Sequence, residues 1–282
     1  MGYTINTNIN SLNAQRNAGL NASSLSTSMQ RLSSGLRINS AKDDAAGLAI
    51  ATRMDSQYRG MNVAIRNAND GISLAQTAEG GLQTLTDMVQ RMRELAVQAT
   101  NGTNTTGDTG DLAALNQEYT QLSTEISRTL SSVQFNGKSL LDTTLSFDFQ
   151  VGANTGQTIT IQASAMSVST GDLGTVATGG TSALTLTDTS SNSANILALD
   201  KALTAINSTR ANLGAVQSRF TNTINFLQSA AENQAAAKGR IMDADFASET
   251  SNLSRAQILQ QAGTAMIAQA NQLPQGVLAL LR

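Results

Sequence analysis

Apolar residues recur alternately three and four positions apart along most of the 282-residue chain, a spacing that puts them on one stripe of an α-helix. Five segments follow it. The first runs through Ala18, Ala22, Leu25, Met29, Leu32 and Leu36, with Ile5, Ile9 and Leu12 as an earlier, out-of-phase piece. The second, from about 41 to 99, carries two seams: Met61, Ile65, Ala68, Ile72, Ala75, Leu82 and Val89, and beside it Leu74, Ala78, Leu85, Met88, Met92, Leu95 and Ala99. Two adjacent seams make an apolar face wide enough to need more than one partner helix. The turn formers of ATNGTNTTGDTG, residues 99–110, interrupt the pattern. A third helix follows with Leu112, Leu115, Tyr119, Leu122, Ile126 and Val133 on its stripe. The fourth, about 196–240, uses Ile196, Leu199, Leu203, Ile206, Leu213, Phe220, Ile224, Leu227 and Ala231, and the fifth uses Ala256, Leu259, Gly263, Met266, Ala270, Leu273, Val277 and Leu280. A mean spacing of 3.5 implies left-handed packing in a bundle or coiled coil.

Between the third and fourth helices the period falls to two. Leu145, Phe147, Phe149 and Val151 alternate with polar residues, GANTGQ (152–157) supplies a turn, and Ile159 and Ile161 resume the alternation, which predicts a β-hairpin. Leu184 to Leu186 predicts a further short strand. At roughly 1.5 Å per residue, the second segment extends about 85 Å and the fourth about 65 Å. The expected fold class is therefore mainly α, an elongated antiparallel helical bundle or coiled coil with a small β-hairpin region.

Composition narrows the chemistry. The chain has no Cys, His or Trp and a single Pro. Histidine-liganded metal centres, Ser/His/Asp triads and thiol catalysis all lack a required group, which leaves only acid, Lys, Ser or Tyr chemistry; no catalytic residue, metal or cofactor is assigned. Net charge is −2, from 18 basic and 20 acidic residues, which gives no basic field for nucleic acid. The distribution is more telling. Residues 1–42 carry Arg16, Arg31, Arg37 and Lys42 but no acid, and residues 250–282 carry only Arg255 and Arg282. Solvated helices normally intersperse charges, so these ends are expected to be covered by something. Neither a cleaved secretory leader nor a membrane span is expected.

In GLRINSAKDDAAGLAI, residues 35–50, adjacent Asp43 and Asp44 stand beside Lys42 and Arg37. Neighbouring helical residues diverge by roughly 100°, so the two carboxylates do not face one cleft. Ser40 with Asp43 three residues on instead fits a helix start, and the stretch is read as a joint between helices. Asp108 and Asp111 among glycines lack the spacing and closing Glu of a calcium loop. Gln90, Arg91, Arg93, Glu94 and Gln98, interleaved with Met92 and Leu95, are either the wet side of an amphipathic helix or a partner-binding face.

These residues carry an extensive resemblance. INTNINSLNAQRN, LSTSMQRLSSGLRINSAKDDAAGLAI, NANDGISLAQTAEGGL, QRMRELAVQATNGT and QFNGKSLL in the first half, and LGAVQSRF and IMDADFASETSNLSRAQILQQAGTAMIAQANQLPQGVLALLR in the second, resemble the bacterial flagellins over residues 1–141 and 196–282. The resemblance implies a subunit that self-assembles into the helical flagellar filament used for swimming, with terminal helices pairing as an inner domain (1–42 and 243–282) and an outer rod domain (43–242) whose hairpin region is 143–195. About 50 residues there are too few for a large extra domain, so a minimal form is expected. Subunit contacts are expected at Ile5, Ile9, Leu12, Leu25, Met29, Leu32, Leu36, Leu259, Met266, Leu273, Val277, Leu280 and Leu281. The domain joint is expected at Arg37, Ser40, Lys42, Asp43 and Asp44.

Further implications concern partners and place. The family's properties imply a homo-polymer of many copies, type III export by the flagellar route to an extracellular filament, an export chaperone, and cap and junction proteins. They also imply host innate receptors, of the Toll-like class, reading Gln90, Arg91, Leu95 and Glu118. Nucleic acid and membrane insertion are not expected. Low-charge termini would stay disordered in the monomer and fold when neighbours bury them. A hook-filament junction protein shares such ends and stays open as an alternative, as does a monomeric helical binding protein, although the latter should have charged terminal helices.

Overall fold

The structure is a computed structural model that describes residues 7–104, 110–141, 146–162 and 189–279. It is mainly α. In chain order come α1 (Ile9–Ser34), α2 (Ala45–Ala99), α3 (Asp111–Ser132), strands β1 (Gln134–Phe135), β2 (Lys138–Ser139), β3 (Phe147–Gln150) and β4 (Thr158–Ile161), then α4 (Thr189–Met242) and α5 (Phe246–Ala279). The expected strand at 184–186, like Asp108, lies outside the described residues. Two compact units divide the chain: residues 1–57 with 232–282, and residues 58–231.

The 58–231 unit has an apolar core of its own. Both seams of α2 turn inward, with Ala75, Leu82, Val89, Leu85, Met92, Leu95 and Ala99 fully buried, and α3 and α4 contribute Tyr119, Ile126, Leu199, Ile206, Leu213 and Phe220. Residue numbers rise along α2 as they fall along α4. Gln217 donates to Glu79 at 3.0 Å and Arg93 to Asp200 at 2.6 Å, so these stretches run antiparallel. The predicted hairpin forms in the predicted phase, with Phe147 opposite Ile161 and Phe149 opposite Ile159. Its inner face caps the helices: Phe149 meets Phe220 edge-on at 5.6 Å, and Asn67 of α2 donates to the Gln150 carbonyl at 2.9 Å. Gly71 makes room for that aromatic pair, since a Cβ there would stand 2.6 Å from Phe220 Cζ.

A second hairpin, β1–β2, was not expected from the hydrophobic pattern. Its strands are two residues each, too short for alternation to register, but the turn is an Asn-Gly pair. Asn136 and Gly137 both take positive φ, 50° and 74°, the mirror-image turn that Asn-Gly favours. It delivers Leu140 and Leu141, both fully buried, against α2, where Gly81 leaves space for Leu141 and Val133.

In the other unit, the chain leaves α1 through Gly35, whose left-handed φ of 72° lets its N–H close onto the Arg31 carbonyl at 2.8 Å. The connector then zips against the link between α4 and α5. Arg37 N–H donates to the Met242 carbonyl at 2.6 Å, Ala244 N–H to the Gly35 carbonyl at 2.9 Å, and the Arg37 guanidinium to the Ile241 carbonyl at 2.7 Å. Here the structure corrects the expected helix start. Ser40 does not cap α2; Asp43 reaches backward and accepts from the N–H groups of Ser40 (2.9 Å) and Asn39 (3.1 Å) and from the Ser40 hydroxyl. That closes a turn over residues 40–43, so the helix begins only after Asp44, whose carboxylate accepts from Gly47 N–H at 2.8 Å as the true cap. Asp43 ionises below the usual carboxylate range, first because the Ser40 N–H bonds it and next because that of Asn39 does.

The packing at Gly71 yields a paired prediction. Gly71→Ala should destabilise the protein by about 1–3 kcal/mol through overpacking against Phe220. Gly80→Ala, at a helical site where a Cβ meets nothing within 4 Å, should instead stabilise by about 0.5–1 kcal/mol. Thermal unfolding checks both, and equal shifts for the two variants would show that the hairpin does not press Phe220 onto α2.

Candidate assembly surfaces

Helices α1 and α5 pair antiparallel, and what they bury between them is unusual. The buried residues of α1 are Ser11 and Ser28, and among the described side chains of α5 they are Glu249, Ala256 and Ala270. The seam is held by polar groups. Asn8, which caps α1 by accepting from Ser11 N–H, donates to the Ala270 carbonyl at 2.7 Å; Ser11 Oγ donates to Asn271 at 2.8 Å; Arg31 lies 3.8 Å from Glu249. Two hollows interrupt it. One of about 400 Å³ is polar, beside Ser24, Ser28, Arg31, Glu249 and Arg255; another of about 560 Å³ lies beside Ala14, Ala18, Gly263 and Met266.

Many of the large apolar side chains are left uncovered. Ile9, Leu12, Leu20 and Met29 of α1 and Phe246, Ile258, Leu259 and Met266 of α5 are all exposed, Ile9 to 61% and Met266 to 63%. Of the residues expected at subunit contacts, Ile9, Leu12, Met29, Leu259 and Met266 therefore present their side chains outward, while Leu25, Leu32 and Leu36 are half-buried. Ile5, Leu280 and Leu281 lie outside the described residues, and Leu273 and Val277 fall in α5 with side chains outside them. Leu20, Phe246 and Ile258 were missed because each lies off the stripe that the spacing picks out. In the 58–231 unit, exposed Val63, Val97, Leu197 and Phe226 were missed for the same reason.

The joint residues Arg37, Ser40, Lys42, Asp43 and Asp44 are all exposed. Three of them, Arg37, Asp43 and Asp44, supply the bonds described above.

On α2 and α3, Arg91 donates to Glu118 at 2.8 Å and to Glu94 at 3.0 Å, which brings together two of the residues expected in a receptor face. Glu118 and then Glu94 hold the Arg91 guanidinium above its ordinary pKa. Gln90 is exposed beside them, but Leu95 is 0% exposed. Leu95 thus belongs to the core and holds α2 in place; it offers no surface to a partner. The burial follows from its place on the second α2 seam, between Met92 and Ala99. Among the described residues no group of three or more acids could hold a metal ion, and no helix is long and apolar enough to cross a membrane.

Comparison with known proteins fits this arrangement. The bacterial flagellin N-terminal helical region matches residues 5–146, and the bacterial flagellin C-terminal helical region matches residues 196–281. A flagellin of Halalkalibacterium halodurans is 47% identical over 99% of both chains. Flagellin of Bacillus subtilis is 42% identical, and a flagellar filament 33 kDa core protein of Treponema phagedenis 43% identical, each again over 99% of both chains. With both terminal regions matched and relatives similar along nearly their whole length, this chain belongs to the flagellin family.

Proposed function

We propose that the chain is the structural subunit of a flagellar filament, and that α1 and α5 form the part of the subunit that other copies cover. The observation that carries this is the exposed apolar surface of that helix pair: among the described residues its fully buried positions are small or polar, and eight large apolar side chains stand exposed. Burying a Leu, Ile, Met or Phe side chain contributes about 1.5–3 kcal/mol. A concentration of exposed large apolar side chains on two paired helices is read as an interaction site, and repeated heterologous contact between identical copies builds a helical polymer. The expected interface residues Ile9, Leu12, Met29, Leu259 and Met266 would drive it; Ile5, Leu273, Val277, Leu280 and Leu281 are expected contacts from the sequence alone. The full-length relatives are a filament core protein and flagellins, and nothing favours the junction-protein reading.

Several finer features belong to the same proposal. The joint at 35–44 would set the path between an inner domain (1–42, 243–282) and an outer one (43–242). Export by the flagellar type III route to the cell exterior, with a chaperone covering the apolar termini and cap and junction proteins at the filament ends, suits a chain without Cys. The exposed Gln90, Arg91 and Glu118 cluster would serve as a host innate-receptor contact, with Leu95 supporting it from inside.

Deleting residues 253–282 should leave a soluble, helical monomer that forms no filaments in electron micrographs. Normal filaments from the truncated protein would refute the assembly reading. For the receptor contact, Arg91→Ala should weaken binding of the monomer to a Toll-like receptor by about 2 kcal/mol or more, because it removes a guanidinium held by two carboxylates on a rigid helix. Unchanged affinity in a direct binding titration would remove Arg91 from that surface.

A further inference from the structure

We propose that Met29 and Met266 are peroxide-oxidation sites whose modification blocks assembly, open in the free subunit and closed in the polymer; this rests on the assembly reading above. The chain has nine methionines and neither Cys nor Trp, so thioethers are its readiest targets for a peroxide. They differ sharply in access. Met29 is 56% exposed and Met266 63%, whereas Met92 is 0% exposed in the core of the other unit. Met54, Met61, Met88 and Met242 are half-buried. Met266 borders the hollow between α1 and α5, beside Ala14, Ala18 and Gly263. Both exposed thioethers are among the side chains that the assembly proposal places under neighbouring copies.

The reaction is a two-electron oxygen transfer from hydrogen peroxide. A sulfur lone pair attacks one peroxide oxygen, the O–O bond breaks as the S–O bond forms, and the departing hydroxide takes the proton of the transferred oxygen and leaves as water. Sulfur is oxidised to the sulfoxide and peroxide is reduced. The product is a polar, strongly accepting group in place of a flexible apolar one. On a solvated helix that change is tolerated, but in a covered interface the new oxygen would lose its water without gaining a donor. Oxidation therefore acts on the assembly equilibrium, and because sulfoxide is reducible by methionine sulfoxide reductases, the block is reversible.

Timed hydrogen peroxide treatment of monomer and of polymerised protein, followed by peptide mass mapping, tests the proposal. In the monomer, Met29 and Met266 should be oxidised at least about tenfold faster than Met92, and polymerisation should remove that difference. The oxidised monomer should need about tenfold more protein to form filaments, and sulfoxide reductase should restore assembly. Met29→Leu/Met266→Leu, which conserves volume, should need the same protein concentration to form filaments before and after peroxide, whatever that concentration is. The proposal is overturned if the two sites react no faster than Met92, if oxidised wild-type protein assembles as before, or if the double variant loses assembly on treatment. Should the double variant fail to assemble untreated, each single variant must still show partial resistance. Untreated wild-type protein that never polymerises would refute the assembly reading instead, while the monomer rate comparison still decides the access claim.

Discussion

The central constraint is that α1 and α5 cannot satisfy their own apolar residues. Ordering a residue costs about 1–2 kcal/mol of conformational entropy, and isolated helices are marginal without a buried face to offset it. Between these two helices lie serines, alanines, a glutamate and an asparagine-rich seam. Such a seam specifies antiparallel register through a few hydrogen bonds but returns little hydrophobic free energy. On the assembly proposal, a second copy supplies the burial that the exposed apolar side chains lack. Low charge on the termini follows from the same requirement, since each ionised group carried into a covered interface would have to be paired or neutralised.

The 58–231 unit answers to a different rule. Its helices bury a continuous apolar core, its hairpin caps that core through Phe149 on Phe220, and its ion pairs, such as Arg91 with Glu118 and Arg93 with Asp200, lie at the exposed edge where each contributes little. This unit has the packing of an ordinary folded domain. On the assembly proposal, one chain holds a self-sufficient part and a part completed by other copies. At the joint, backbone bonds from Gly35 and Arg37 tie the two passages of the chain together, so that the exit of α1 and the entry to α5 are fixed relative to one another.

Much of this was legible in the residues. The paired seams of α2 predicted a helix covered on a broad front, and every seam residue is buried or half-buried. Alternation at Phe147 to Ile161 gave both the hairpin and its inward face. Other features were hidden for physical reasons. Two-residue strands carry no period, so β1–β2 could be read only from Asn136-Gly137. Capping depends on which way a carboxylate bends, and the Ser40 spacing could not reveal that Asp43 reaches backward while Asp44 takes the cap. Periodicity shows that a stripe exists but not whether it turns toward a partner helix or away from it. For the terminal helices that orientation is the functional fact, and only the polar seam of Ser11, Ser28 and Glu249 discloses it.

Amide hydrogen exchange compared between monomer and filament tests the dependence of α1 and α5 on neighbouring copies most directly. The monomer should show protection across residues 60–95, in the self-sufficient core, and none across residues 1–35 or 255–282; the filament should protect all three. Equal protection of the terminal helices and the 60–95 segment in the monomer would show that α1 and α5 are stable by themselves and would contradict the account.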